Sequence, residues 1–288
     1  MIDSRLGCST ISFRHLELEK ALDEIITLGF EEVDLGSLPG VCTHVPTTLS
    51  TSDVARVATC VAKAGVSVRS INCEVGDLND PGVDVANSTH LTRLLELATA
   101  VGARALALPN GAIEHTPIGT LGVDLDRVAA NVGIALERAQ PYGIDIWIES
   151  LHVFRLCCNQ SRAAALTSRL PPDVGIVMDF SHIVAAGDDP VQFVETFGDR
   201  ITHVHIRDAT RGRIELDPHP IVDEPGNINL SVGRGDVDFD AGVLALHAAK
   251  FDGHYTLELE TRDVTDDERP AAAADAAHLI TTLLASHH

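Results

Sequence analysis

Short apolar runs alternate with longer segments of helical period along the whole chain. Residues 5–9 form a first strand candidate. Leu18, Ala21, Leu22, Ile25 and Ile26 then recur at the spacing of one helix face. Gly29 stops that helix, and 31–36 predicts the next strand. Helices over 53–64, 88–101 and 124–140 stop at or near Gly65, Gly102 and Gly143, and strands over 66–73, 103–109 and 144–149 follow them. Leu125, Val128, Ala129, Val132, Leu136 and Ala139 share one face of the helix over 124–140. Glycine just past a helix end suits a left-handed backbone that would strain a side chain.

These glycines stand 36, 37 and 41 residues apart, close to one eighth of the 288-residue chain. Later units pair a helix near 161–169 with a strand over 174–179, and a helix near 190–197 with a strand over 201–206. The last pair a helix near 239–249 with a strand over 255–260, followed by a helix near 268–285. Eight such units predict one α/β domain over 1–288, a single (β/α)8 TIM barrel. A doubly wound open sheet is the alternative, but no Gly-rich phosphate turn follows the first strand. Two connections, 36–52 and 208–238, exceed simple turns and follow the second and seventh strands. They are expected to wall or cover a pocket at the end where barrels keep their chemistry.

The stretch Ile-Thr-His-Val-His-Ile-Arg-Asp at 201–208 alternates, so His203 and His205 share one face of a strand. Three other strands end comparably, at Glu149, at Asp179 with His182 three residues on, and at Glu258 or Glu260. The last two have the same parity, so alternation does not choose between them, while the spacing from Gly253 favours Glu258. Three carboxylates converging in one mouth would repel and take up protons unless a cation joined them. An oxygen-rich set with one imidazole suits a divalent metal: Mn²⁺ first, with Co²⁺, Mg²⁺ or Zn²⁺ as alternatives. Such an ion would chelate a polyol or ketose and polarise its carbonyl, and a neighbouring carboxylate could then move a proton through an enediolate. His203, a layer deeper, reads as structural. Asp208 reads as a salt-bridge partner or as a site residue.

Composition narrows the partners. Acidic residues number 42 against 21 basic, a net charge of −21, which argues against a nucleic acid or an anionic membrane. Apolar content of 45% supports a large core without cross-links. The six cysteines, Cys8, Cys42, Cys60, Cys73, Cys157 and Cys158, form no metal or disulfide framework and read as packing residues with free thiols. No leader or apolar span stands out, so a cytoplasmic protein is expected. His287 and His288 resemble a tag remnant. Gly233-Arg234-Gly235 has the look of a phosphate cradle, but a turn into a helix is the simpler expectation.

Taken jointly, several segments resemble the xylose-isomerase-like barrels. They are Ile148-Glu149, Met178-Asp179-Phe180-Ser181-His182, His203-Val204-His205-Ile206-Arg207-Asp208, Gly233-Arg234-Gly235-Asp236-Val237-Asp238-Phe239, and Phe251-Asp252-Gly253 with Leu257-Glu258. The resemblance is to the sugar phosphate isomerase/epimerase group that includes ketose 3-epimerases and inosose dehydratase, and it covers essentially the whole chain. It implies metal ligands Glu149, Asp179, His205 and Glu258, with Glu149 and Glu258 as the acid–base pair and His182 binding a substrate hydroxyl or carbonyl. It casts Arg211 as a substrate-holding arginine. Where the epimerases carry a substrate-binding glutamate, Arg155 stands here; with Arg207 and Arg211 it would suit an anionic substrate, or it simply pairs with a carboxylate. Asn72, Asn110, His44 and His152 are further candidate substrate contacts; His152 is alternatively an extra acid or base. The expected function is a metal-dependent isomerase or epimerase of a carbohydrate or polyol. The alternative is a lyase on the same site: dehydration of a keto-inositol or dehydroshikimate-type substrate, or eliminative cleavage of a 3-keto glycoside. A nuclease and a non-catalytic binding protein are weaker readings. The group also implies a homo-oligomer and, in some cleaving members, a small partner subunit.

Overall fold

The computed structural model describes residues 1–217 and 222–286. In chain order the elements begin β1 (Leu6–Ser9), α1 (Leu18–Thr27), β2 (Glu32–Ser37), α2 (Thr51–Ala64), β3 (Ser67–Cys73), α3 (Thr89–Val101), β4 (Ala105–Pro109) and α4 (Leu121–Ala139). There follow β5 (Asp145–Glu149), α5 (Gln160–Thr167), β6 (Gly175–Asp179), α6 (Phe180–Ala186), α7 (Pro190–Phe197) and β7 (Ile201–Ile206). The chain ends with β8 (Arg213–Glu215), β9 (Val222–Glu224), α8 (Phe239–Ala248), β10 (His254–Leu257) and α9 (Arg269–Ser286). Eight parallel strands close in the order β1-β10-β7-β6-β5-β4-β3-β2, and β8 and β9 form a separate antiparallel hairpin.

Strand alternation builds two layers. On β5, Ile146 and Ile148 join the large core between sheet and helices, while Trp147 meets Ala105, Ala107 and Val177 inside the barrel. Each buried isoleucine contributes roughly 2 kcal/mol of hydrophobic stabilisation. Outward Tyr255 and Leu257 of β10 pack on the same core. The inward positions are therefore left to small or polar residues, and those at the C-terminal ends carry the chemistry. Gly65 and Gly102 end α2 and α3 at φ 73° and 70°. Gly29 and Gly143 are likewise left-handed.

The structure corrects several expectations. Ile26 is 38% exposed, so the buried face of α1 is Leu18, Ala21, Leu22 and Ile25. Periodicity missed α6, whose seven residues are buried all round and so show no amphipathic stripe. The long connection after β7 contains the β8–β9 hairpin; residues 218–221, and the suspected tag residues 287–288, lie outside the described ones. The hairpin is tied down by Arg162 Nε to Asp217 Oδ2 at 2.9 Å and by His115 Nδ1 beside Asp223 Oδ2 at 3.0 Å. All six cysteines are free thiols. Among the described residues no helix is long and apolar enough to cross a membrane.

Candidate metal centre

Register brings the strand ends together. Asp179 on β6 pairs with His205 on β7, and the Glu258 amide continues the ladder from β10 to Ile206 O at 3.1 Å. Glu149 ends β5, the next strand round. Glu149, Asp179, His205 and Glu258 each offer a ligand atom, and these atoms lie within 4.8 Å of one another. All four residues are buried. His205 Nδ1 is 3.3 Å from Glu149 Oε1 and 3.3 Å from Glu258 Oε2. Ligands about 2.1 Å from one cation are at most about 4.2 Å apart, so a small contraction would complete a coordination shell. Three buried carboxylates around one imidazole is a donor set that fits a divalent cation and fits little else.

Neighbours hold each ligand in place. Asp179 Oδ1 accepts from the Ser181 and His182 amides at 2.7 and 3.2 Å and from Ser181 Oγ at 2.6 Å, which caps α6 and leaves Oδ2 for the mouth. Glu258 Oε1 accepts from Asn72 Nδ2 at 2.9 Å. Glu260, the other residue of the same parity, sits between Arg14 at 2.7 Å and Arg207 at 2.9 Å, outside the ligand cluster. Below, Asp34 Oδ2 is 2.7 Å from His203 Nε2 and 3.8 Å from His205 Nε2, and Asp34 Oδ1 accepts from the Ser70 amide and hydroxyl.

Burial pushes the Glu149 carboxyl up, with Glu258 and Asp179 adding to the rise. Burial also pushes Glu258 up, but His205 and Arg207 beside it outweigh this, and its pKa is lowered. For His205 burial acts downward, yet Glu258 and Glu149 hold the imidazole well above its usual range. A cation entering this site therefore displaces protons. Burial, then the cations around them, lower His152 and His182 well below the usual imidazole range. Both are neutral at physiological pH. The Val153 amide donates to His182 Nδ1 at 3.4 Å, so the ring proton is on Nε2. That atom is 3.9 Å from Asp179 Oδ2 and has no hydrogen-bond partner among the described residues. The His152 ring lies against His182, centroids 3.9 Å apart.

A cleft of about 220 Å³ opens above, lined by Asn72, Glu149, His152, Arg155, Arg207 and Glu258 among others. Arg155 donates to Gly111 O at 2.7 Å and pairs with Glu74. Four residues expected at the substrate lie outside this lining, and one of them is His182, fully buried against the ring of His152. Arg211 donates to Gly187 O and Asp188 O at 3.2 and 3.0 Å, just past the end of α6. His44 Nε2 lies 2.8 Å from Leu16 O. Asn110 donates to Glu149 O at 2.8 Å and accepts from the Cys157 amide. Arg211, His44 and Asn110 each hydrogen-bond backbone, and His44 Nδ1 also faces Cys42 Sγ at 3.3 Å, which alternation does not foresee. Asp208 receives the amides of Ala209, Gly233, Gly235 and Val237 and binds no arginine among the described residues. The Gly233-Arg234-Gly235 turn thus cradles an internal carboxylate rather than a phosphate. Sequence reasoning missed Asp34. Its signal was present: a lone carboxylate between Val33 and Leu35 must face inward.

The family described as Xylose isomerase-like TIM barrel matches residues 22–283. The chain is 24% identical over 99 residues to an inosose dehydratase of Lacticaseibacillus casei. That match spans 33% of this chain and 33% of the relative, so the chain covers a third of that relative's length. The crystal structure of 3-keto-D-glucoside 4-epimerase from E. coli superposes with a TM-score of 0.71 at 19% identity, covering 96% of this chain and 99% of that one. The IolI protein with a bound zinc atom superposes with a TM-score of 0.74 at 17% identity, covering 99% of each chain.

Proposed function

The chain belongs to the xylose isomerase-like TIM barrel family, and from that premise we propose that it is a divalent-metal-dependent enzyme that moves a proton beside the carbonyl of a sugar or polyol derivative. The observation that carries this is the convergence of Glu149, Asp179, His205 and Glu258 within 4.8 Å at the floor of an open cleft. A divalent cation held by these four, Mn²⁺ in the first place, would polarise a carbonyl and favour an enediolate on the substrate. Glu258 and Glu149 reach the site from non-adjacent strands. In this reading they take a proton from one face of the carbon beside the carbonyl and return it to the other. Asn72 fixes the Glu258 carboxyl while it does so. His182, whose Nε2 has no partner among the described residues, would donate to a substrate oxygen that reaches past His152. The simplest outcome is isomerisation or epimerisation.

A second reading has its own observation. His152 and His182 form a neutral imidazole pair beside Glu149, and His152 lines the cleft. A third proton-transfer group is superfluous for epimerisation but useful for protonating a leaving group at the β carbon. The same site would then act as a lyase on a keto-inositol, or on a 3-keto glycoside with release of its aglycone. The test is incubation of Mn²⁺-loaded protein with ketoses, inososes and 3-keto glucosides in D₂O, followed by NMR. Deuterium entering beside the carbonyl with the formula conserved supports the isomerase. Released water or aglycone selects the lyase. No exchange with any of these classes, from protein that holds the metal, overturns the proposal.

A further inference from the structure

Arg207 leaves β7 directly above the ligand cluster and is 2% exposed. Its Nη2 donates to Glu258 Oε2 at 2.7 Å and to Asp179 Oδ2 at 3.3 Å, and its Nη1 donates to Glu260 Oε1 at 2.9 Å. Two of the four candidate ligands thus share one guanidinium on the very oxygens that face the mouth. Neither depends on it for orientation. Asn72 holds the other oxygen of Glu258, and the Ser181 and His182 amides hold the other oxygen of Asp179. His205 Nε2 lies 3.8 Å from Asp34 Oδ2 below, and Arg207 makes no hydrogen bond to it among the described residues. What Arg207 supplies to the cluster is therefore charge.

We infer that Arg207 is the charge-setting residue of the metal centre: it offsets one of the three ligand carboxylates, so that the groups touching the ligand oxygens match a divalent cation, and it weakens cation binding in return for a cluster that folds without metal. The inference rests on the metal-centre reading above. The counter-ion of Arg207 is Glu260, which Arg14 also grips at 2.7 Å. The pair Arg14–Glu260 is neutral, so one positive charge remains directed at the ligands. Removing it leaves a divalent ion facing three bare carboxylates. Like charges a few ångströms apart in a buried site repel strongly. Even after discounting for rearrangement, the loss should strengthen Mn²⁺ binding at least about tenfold.

Isothermal titration of metal-free protein with MnCl₂ tests this, together with the melting temperature of each metal-free protein. Arg207→Gln is expected to bind Mn²⁺ at least tenfold more tightly and to melt lower without metal. Glu260→Gln frees Arg207 to press harder on the ligands and is expected to bind several-fold more weakly. Arg207→Lys keeps the charge and should stay within about threefold of wild type. A merely structural arginine would weaken binding when removed, so unchanged or weaker binding by Arg207→Gln overturns the inference. If that variant does not fold, Glu260→Gln decides: affinity equal to or above wild type overturns it. Wild-type protein that binds no Mn²⁺, with His205→Ala indistinguishable from it, removes the metal centre itself and the inference with it. Wild-type binding lost in His205→Ala keeps the centre whatever Arg207 does.

Discussion

Two histidines on one strand, two residues apart and facing the same way, have opposite surroundings. His203, at the barrel's waist, stacks on Trp147 with centroids 5.2 Å apart and has one carboxylate, Asp34, at 2.7 Å. His205, at the rim, has two carboxylates at 3.3 Å, with Asp179 completing the cluster. The waist is a matched pair and the rim holds surplus negative charge. A matched buried pair stabilises the barrel. A surplus is costly until a cation arrives, and that cost is what makes a site.

The sharpest way to break the contrast is to remove each imidazole in turn. His205→Ala is expected to lower Mn²⁺ affinity by about a hundredfold or more with only modest loss of melting temperature. His203→Ala should do the reverse, melting far lower while still binding Mn²⁺ within about tenfold of wild type. Calorimetric titration and thermal melts on the two variants check this; equal effects on both measurements would dissolve the distinction.

Asp34 joins the two levels, so its removal should touch both. Burial pushes this carboxyl up, but His203 and His205 outweigh it and hold it well below the usual range. Its contribution to stability is present above the ordinary carboxylate pKa and is lost as the pH falls toward the lowered folded value. Asp34→Ala is expected to cost about 3 kcal/mol in urea unfolding at neutral pH, because it leaves His203 unpaired. It should also weaken Mn²⁺ by about tenfold, because the carboxylate facing the far side of the His205 ring is lost.

The rim should respond to pH above the ordinary imidazole value, where His152 and His182, both lowered, no longer change the balance. His205 and Glu149 both have raised values, so the folded metal-free protein holds more protons there than the unfolded chain. The stability His205 lends is full below the ordinary imidazole value and falls as the pH climbs through the raised folded one. Metal-free melting temperature is therefore expected to decline as the pH climbs above the ordinary imidazole value, whereas Mn²⁺ affinity rises over the same interval as protons leave the ligands. Melts with and without Mn²⁺ across that range would show the two trends diverging; parallel trends would count against the proton-loaded rim.

The smallest effect belongs to Arg211. With its guanidinium on the carbonyls past α6, Arg211→Ala should leave Mn²⁺ affinity unchanged and cost under about 1 kcal/mol. A large loss of substrate turnover in that variant would return it to the substrate.

Periodicity is a local property, and it made the local features readable from the chain. Helix faces, the glycine stops and the inward parity of Glu149, Asp179, His203, His205 and Glu258 follow from spacings of two and 3.6 residues. The closing of eight units into a barrel follows from their recurrence. Alternation assigns a residue to a face but not to a level or a neighbour. It could not tell Glu258 from Glu260, which differ because Arg14, 246 residues away in sequence, grips the latter. It could not tell the paired His203 from the surplus-facing His205, because Asp34 arrives from across the barrel, 169 residues distant. Nor could it show that Arg211, His44 and Asn110 hydrogen-bond backbone outside the cleft. Charge balance in a buried site is a sum over strands brought together by barrel closure, and no window of sequence contains all of its terms.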